Sequence, residues 1–257
     1  MAYIIRMIMD NVHYDIRWSD RLDERFIDDY IALQNEIFNV GSRDEFDRQF
    51  INNIYGRSVL VVVYADGEPI AARALWRNDI NGNEAYQPGS TCVINKYRGK
   101  GIFMEMTRKA IAELPEGVII YNFPNINSFP GYMKMGWRVA GSYKARLYLS
   151  YKEYAGEHPS PIDDQYVKWW LSGKALFHKK IASHYFILQK DVRPFCYHIL
   201  GEVSMRSAKM FPEVNMGLVF YKSQKVTCYN KRLGSTNVVC RNTDVSDIPT
   251  WKIDAVV

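Results

Sequence analysis

The chain has 257 residues, of which 47% are hydrophobic and 24% charged, with a formal net charge of +5. That is enough apolar material for one large core or two modest ones, and too much for a disordered chain. No apolar run reaches the roughly 18 residues of a membrane helix, because Arg6 and Asp10 break the apolar start, which also lacks a cleavage pattern. A soluble protein that stays in the cytoplasm is expected.

The four cysteines (Cys92, Cys196, Cys228 and Cys240) are widely spread, with no two-residue spacing and no histidine pair nearby. This argues against a zinc site or a disulfide framework, and no metal is expected. Residues 1–150 carry 18 basic and 18 acidic side chains, so the whole positive excess falls in the second half, at 15 against 10. A bias this mild fits a solvated surface or an anionic partner, and nothing in it has the density of a nucleic-acid-binding cluster.

In chain order, residues 12–18 alternate apolar and polar side chains, the signature of a half-buried strand. Asp23 and Glu24 then open a long amphipathic helix bearing Phe26, Ile27, Tyr30, Ile31, Leu33, Ile37 and Phe38, which ends near Gly41. Ser42 with Glu45 forms a capping box for a second helix, whose buried stripe is read as Phe46, Phe50, Ile51 and Ile54. The continuous apolar run at 59–64 reads as a strand buried on both faces. Asp66-Gly67 supplies a hairpin turn into a partner strand at 69–76. Residues 78–89 are polar, contain the turn signal Asn81-Gly82, and read as a linker bordering an acceptor pocket.

The informative stretch is 91–137. Thr91-Cys92-Val93-Ile94 reads as a strand, and from Ile102 the spacing becomes helical, with Ile102, Met106 and Ala110 four apart. Between them lies Lys96-Tyr97-Arg98-Gly99-Lys100-Gly101. The first amides of a helix lack intrahelical acceptors and favour an anion, and glycines let one approach the backbone. A second strand at 118–121 leads to Asn125, Ser128, Tyr132 and the pair Gly136-Trp137.

These two segments together resemble the GNAT superfamily of acyl-CoA-dependent N-acyltransferases. That family pairs a pyrophosphate loop with a downstream Asn, a small residue three on, Tyr seven on and Gly-aromatic eleven on. The resemblance covers roughly residues 12–150. Lys96 stands where Gln or Arg is usual, Asn95 where Pro often stands, and Pro130-Gly131 is expected to interrupt the last helix. The resemblance implies an α/β (α+β) GNAT acyltransferase fold, a mixed and mostly antiparallel sheet flanked by helices.

It also implies an acyl-CoA co-substrate, acetyl-CoA or another acyl-CoA. Thr91 and Val93 would lie along the pantetheine arm. The diphosphate would lie over Lys96, Arg98, Gly99, Lys100, Gly101 and Ile102. Asn125 and Ser128 follow on the far side, where Asn125 either contacts the arm or caps the next helix. Tyr132 would be the general acid for the leaving sulfur, or else a packing aromatic. For a base, Asp79, Glu84 and His158 are the candidates by type and position. The acceptor would be an amine of a small metabolite, amino sugar or peptide.

After Trp137, residues 138–151 read as a further strand pair, and 153–164, with Gly156, Pro159 and Pro161, as a boundary. This gives an acyltransferase domain at 1–151 and a C-terminal region at 152–257. In that region a helix is expected at 166–177, a hairpin at 185–200, and strands at 216–221, 225–229 and 238–240. It resembles a degenerate second copy of the same fold, or else a β-rich appendage, and has no glycine turn of its own, so one cofactor site is expected. Two other readings stay open: a catalytically silent acyl-CoA-binding or partner-binding module, and an aminoacyl-transferring enzyme on a tandem fold.

Overall fold

A computed structural model describes residues 12–157, 161–224 and 235–243, together with 248 and 252. The described chain divides into two compact units, one of residues 12–122, 126–138 and 240–243, the other holding 123–125, 139–157, 161–224 and 235–239 with 248 and 252. Residues 139–151, placed in the first domain by the sequence, thus pack within the second unit. Among the described residues no helix is long and apolar enough to cross a membrane.

In the first unit β1 (Val12–Trp18), β2 (Val59–Ala65), β3 (Glu68–Arg77) and β4 (Ala85–Val93) form an antiparallel meander, and β5 (Ile119–Asn122) joins β4 in parallel. Helix α1 (Glu24–Phe38) starts at Asp23, whose carboxylate accepts the Phe26 amide at 2.8 Å, and stops at Asn39 in the left-handed conformation. Helix α2 (Arg43–Phe46) starts at Ser42, whose hydroxyl accepts the Glu45 amide, and widens into a π-type turn over Asp47–Ile51. That widening changes which side chains face inward. Phe46 and Phe50 are buried against Tyr30, while Ile51 and Ile54, expected in the stripe, are exposed.

Strand β4 corrects the reading of 78–89 as a linker. The strand begins at Ala85, and Tyr86 and Gln87 are buried. Gln87-Pro88-Gly89-Ser90 lacks the β-branched pattern that marks a strand, so its extended form comes from pairing with β3. Pro88 is tolerated because β4 pairs with β5 only at Ala85↔Ile119 and Tyr86↔Ile120; from Gln87 onward the far side of β4 behaves as an edge.

Helix α3 (Ile102–Ala112) follows the glycine turn and α4 (Phe129–Lys134) follows β5. Pro130 does not interrupt α4. It sits in the first turn, where its missing N–H would have had no intrahelical acceptor. Gly131 lies so close to α3 that an added Cβ would come within 2.6 Å of the Phe103 ring.

The second unit holds a sheet in the order β7 (Phe177–Ile181), β8 (His184–Lys190), β9 (Cys196–Val203), β10 (Leu218–Ser223) and β6 (Arg138–Leu147). Here β9 and β10 are parallel and the other pairs antiparallel. The hairpin expected at 185–200 is present as β8 and β9, and the strands expected at 216–221 and 238–240 as β10 and β11 (Ser235–Arg241). The strand expected at 225–229 lies outside the described residues.

Residues 138–151 hold one strand, β6, and not a pair. Ser150 turns the chain into α5 (Tyr151–Glu157), its hydroxyl accepting the Glu153 amide at 3.4 Å. Tyr148 and Tyr154 then pack on Phe186 and Tyr221. The helix expected at 166–177 is shorter, with α6 (Asp164–Tyr166) running into a π-type turn over Val167–Leu171. Phe177 opens β7 instead, and α7 (Met205–Ala208) connects β9 to β10.

Candidate active site

The site in the first unit is built where β4 leaves β5. A β-bulge shapes it: Ala72 pairs with Cys92 and Ala74 with Gly89, so Ser90 and Thr91 together face the single residue Arg73. Ser90 takes a left-handed φ of 46°, uncommon for a residue with a side chain. The side-chain amide of Gln34, from α1, donates to the Ser90 carbonyl at 2.8 Å and to Cys92 Sγ at 3.3 Å, holding the bulge from outside the sheet.

Beyond the bulge the Ile94 amide bonds the Ile70 carbonyl, so the preceding residue, Val93, turns its N–H and C=O away from β3 toward the open edge. Arg98 Nε donates to that Val93 carbonyl at 2.9 Å. The chain then makes a short 3₁₀ turn over Asn95–Tyr97, and Gly99 and Gly101 follow with φ of 75° and 83°. Among the described residues the amides of Gly99, Lys100, Gly101, Ile102 and Phe103 meet no acceptor, and Gly101 heads α3 without a side-chain cap. A Cβ at either glycine would meet nothing within 4 Å, so the turn is open at both positions. Lys96 and Lys100 place their ammonium groups 4.9 and 4.8 Å from the centre of the Tyr97 ring. Five unclaimed amides, two glycines and three nearby cations suit a diphosphate.

Tyr132, on α4, is buried between Phe103 and Trp137, with ring centres 5.7 and 4.8 Å away in edge contact. Its hydroxyl oxygen accepts from Arg73 Nη2 at 2.5 Å and from Asn122 Nδ2 at 2.6 Å. A phenol oxygen has two lone pairs and one proton, so both acceptor positions are filled while the proton has no acceptor among the described residues. Arg73 Nη1 reaches Thr91 Oγ1 at 3.0 Å. The structure thus brings Thr91, Val93, Lys96, Arg98, Gly99, Lys100, Gly101, Ile102 and Tyr132 into the first unit around one turn and one strand edge. Ser128 occupies the N-cap position of α4 without a side-chain cap bond. Asn125 lies three residues earlier and is exposed.

Neither carboxylate candidate for the base is free. Arg77 pairs with Asp79 through Nε and Nη2, and with Glu84 through Nη1 at 2.9 Å. Asp79 also accepts the Ala85 amide, and Glu84 the Tyr86 hydroxyl. His158 lies outside the described residues. Cys92 is buried, and burial pushes its thiol up to about 11, which removes the thiolate needed for a nucleophile near neutral pH.

Three contributors escaped the sequence: Arg73, Asn122 and Gln34. Arg73 left a signal, as the only charge within Ala71-Ala72-Arg73-Ala74-Leu75-Trp76, a run otherwise fit for a core strand. Asn122 and Gln34 left none, since one polar residue at a strand end or on a helix is ordinary.

A sheet thus parts beside a glycine turn, with a buried tyrosine in the same unit, the arrangement that the family resemblance implied. Residues 19–140 match the family described as acetyltransferase (GNAT) domain. Residues 19–140 therefore form a GNAT acetyltransferase domain.

The fold likeness extends through the second half of the chain. A GCN5-related N-acetyltransferase from Kribbella flavida is 12% identical over 92% of this chain and 73% of its own, with a TM-score of 0.51. One from Anabaena variabilis gives 11%, 88%, 72% and 0.53. A putative acetyltransferase from Pyrococcus horikoshii gives 12%, 95%, 93% and 0.53. At such identity the likeness is one of fold. No curated protein sequence matches the chain.

Proposed function

We propose that this protein transfers an acyl group, acetyl in the first instance, from acyl-CoA to the amine of a small metabolite, amino sugar or peptide by direct attack. The observation that carries this reading is the state of Tyr132. Its oxygen already accepts two hydrogen bonds while, among the described residues, its proton has no acceptor and the amides of residues 99–103 in the same unit have none either. A packing aromatic needs neither feature. A group that must give a proton to a leaving sulfur needs the second, and the first fixes where the proton points.

In this reading the residue 99–103 amides hold the diphosphate, with charge from Lys96, Arg98 and Lys100. The outward-turned Val93 groups offer a backbone ladder to the pantetheine arm, once Arg98 Nε yields the Val93 carbonyl. The bound acyl-CoA supplies the activated carbonyl and the thiol leaving group. The protein contributes position and a proton source, and with Asp79 and Glu84 tied to Arg77, the amine loses its proton to solvent.

Thermal unfolding with acetyl-CoA, longer acyl-CoAs and free CoA tests the reading. A species held at a hundred times its dissociation constant adds about 2.7 kcal/mol to folding stability. No shift with any of them overturns the proposal. With binding established, Tyr132→Phe separates enzyme from silent binder: affinity kept and turnover cut by about 10²-fold marks the acid, and turnover kept rules that role out.

A further inference from the structure

Arg73 is fully buried, and among the described residues no carboxylate lies within ion-pair distance of it. Its partners are a tyrosine hydroxyl, a threonine hydroxyl and two ring faces, with the guanidinium carbon 5.0 Å from the Phe103 centroid and 5.6 Å from that of Tyr132. Its Nε is buried with no acceptor. Removing a guanidinium from water is costly, and buried cations are normally matched by an anion. This one has none among the described residues, and it sits on the bulge that re-aims β3 and β4, with an N–H against the oxygen of Tyr132.

Resting on the acyl-transfer reading above, we propose that Arg73 is a positioning residue that works through Tyr132. The negative charge missing beside Arg73 is the one Tyr132 carries for the moment after its proton has left. As the amine nitrogen bonds the acyl carbon, the carbon–sulfur bond breaks with its electron pair on sulfur. Tyr132 passes its hydroxyl proton to that sulfur, leaving a thiol and a phenolate. The phenolate oxygen is then held by Arg73 Nη2 and Asn122 Nδ2, the two donors it already accepts from, so no group has to move to receive the charge. Solvent takes the proton released by the amine and returns one to Tyr132. Thr91, bonded to Nη1, fixes the guanidinium and ties it to β4.

The role predicts opposite effects on stability and turnover. Methionine at position 73 matches the side chain in volume and carries no charge, so Arg73→Met is expected to unfold at the same temperature as the wild type or higher. A structural arginine would give a clear loss. Acetyl-CoA affinity, read by titration calorimetry, is expected to change by less than about threefold, while release of free CoA thiol in the presence of an amine panel falls by about 10²-fold. Arg73→Lys keeps a cation and is expected to recover roughly a tenth or more of the activity.

The deciding measurement is the cycle with Tyr132→Phe. If Arg73 acts through that hydroxyl, Arg73→Met removes nothing further in the Tyr132→Phe background. Multiplying losses overturn the proposal, as does a marked fall in unfolding temperature. Asn122→Ala enters the same cycle as the second donor to that oxygen, and multiplying losses there overturn the proposal too. No acetyl-CoA binding by the wild type would mean that the acyl-transfer reading is wrong. Binding without any cleavage, with or without amines, would leave that reading's cofactor site standing and sink the Arg73 role.

Discussion

The two units run through the same order of elements to opposite ends. In the first, two helices, the second ending in a π-type turn, precede β2, β3 and β4, then a helix, then a parallel strand. In the second, α5 and α6, again ending in a π-type turn, precede β7, β8 and β9, then a helix, then a parallel strand. Even the bulge recurs, since Ile187 pairs with Gly201 and Leu188 with Ile199, leaving Leu200 as the extra residue of β9. What differs is chemistry. The first bulge sets Ser90 and Thr91 against Arg73; the second buries Leu200 opposite Ile187 and Leu188.

The helix starts differ in the same sense. α3 begins at a glycine with five amides unclaimed. In α7 the Ser204 hydroxyl accepts the Ser207 amide at 3.1 Å, and Ser204 and Ser207 both donate to one oxygen of Asp164, at 2.7 and 2.6 Å. The second unit thus seats a carboxylate of its own at the end where the first stays open. An open helix start forgoes stability and keeps donors for an anion; a filled one gains stability and has none to offer.

The sharpest way to break this contrast is to close the open end. Gly101→Asp sets a carboxylate beside the free amides and is expected to weaken CoA binding by roughly a hundredfold or more, about 3 kcal/mol, in titration calorimetry. Gly101→Ala carries only the strain of a left-handed backbone, about 1–2 kcal/mol of stability, and separates strain from charge. Equal affinities for the two variants would mean that the turn does not face an anion.

A matched pair of glycines comes next. A Cβ at Gly131 would fall 2.6 Å from Phe103, and one at Gly217 would fall 2.7 Å from Tyr197. Gly131→Ala should lower stability by about 2 kcal/mol through overpacking, and Gly217→Ala by more, because its φ of 151° adds backbone strain to the clash; both are measured by urea unfolding. Only Gly131→Ala should also reduce turnover, because it pushes α4, and Tyr132 with it, off α3. Loss of turnover in both variants would contradict the assignment of chemistry to the first unit.

Much of this contrast was legible in the sequence. The glycine turn, the helix start at Asp23, the cap at Ser42 and the hairpin at Asp66-Gly67 are local signals, set by φ preferences and by amides that need an acceptor. They read correctly because nothing distant overrides them. The polar half of β4 could not be read this way. Gln87, Pro88 and Gly89 are extended only because β3 pairs with them, and no local preference encodes that. The π-type turn likewise shifted Ile51 and Ile54 to the surface by changing the helical period midway. Arg73 was visible as an oddity, but its partners Thr91 and Tyr132 lie 18 and 59 residues away in the chain, and Asn122, the other donor to Tyr132, lies 49 away. Only the fold brings them together. The second unit was the least legible, because its counterpart of the site is apolar or self-capped and so leaves no motif.

The smallest expected effect tests that self-capping. Asp164 accepts hydrogen bonds first from Ser207 and then from Ser204, and these hold its carboxyl below the usual range. A carboxyl lowered on folding contributes stability above its unfolded value, near pH 4, and loses that contribution as the pH falls through the lower folded value. Asp164→Asn should therefore cost about 1 kcal/mol at neutral pH, solvent screening keeping it small. The difference from wild type should shrink toward zero as the pH drops below about 4. CoA affinity should not change at any pH in this range. If the variant instead weakens CoA binding as much as it weakens folding, the carboxylate serves the coenzyme site as well, and the division of labour between a bare helix start and a filled one fails.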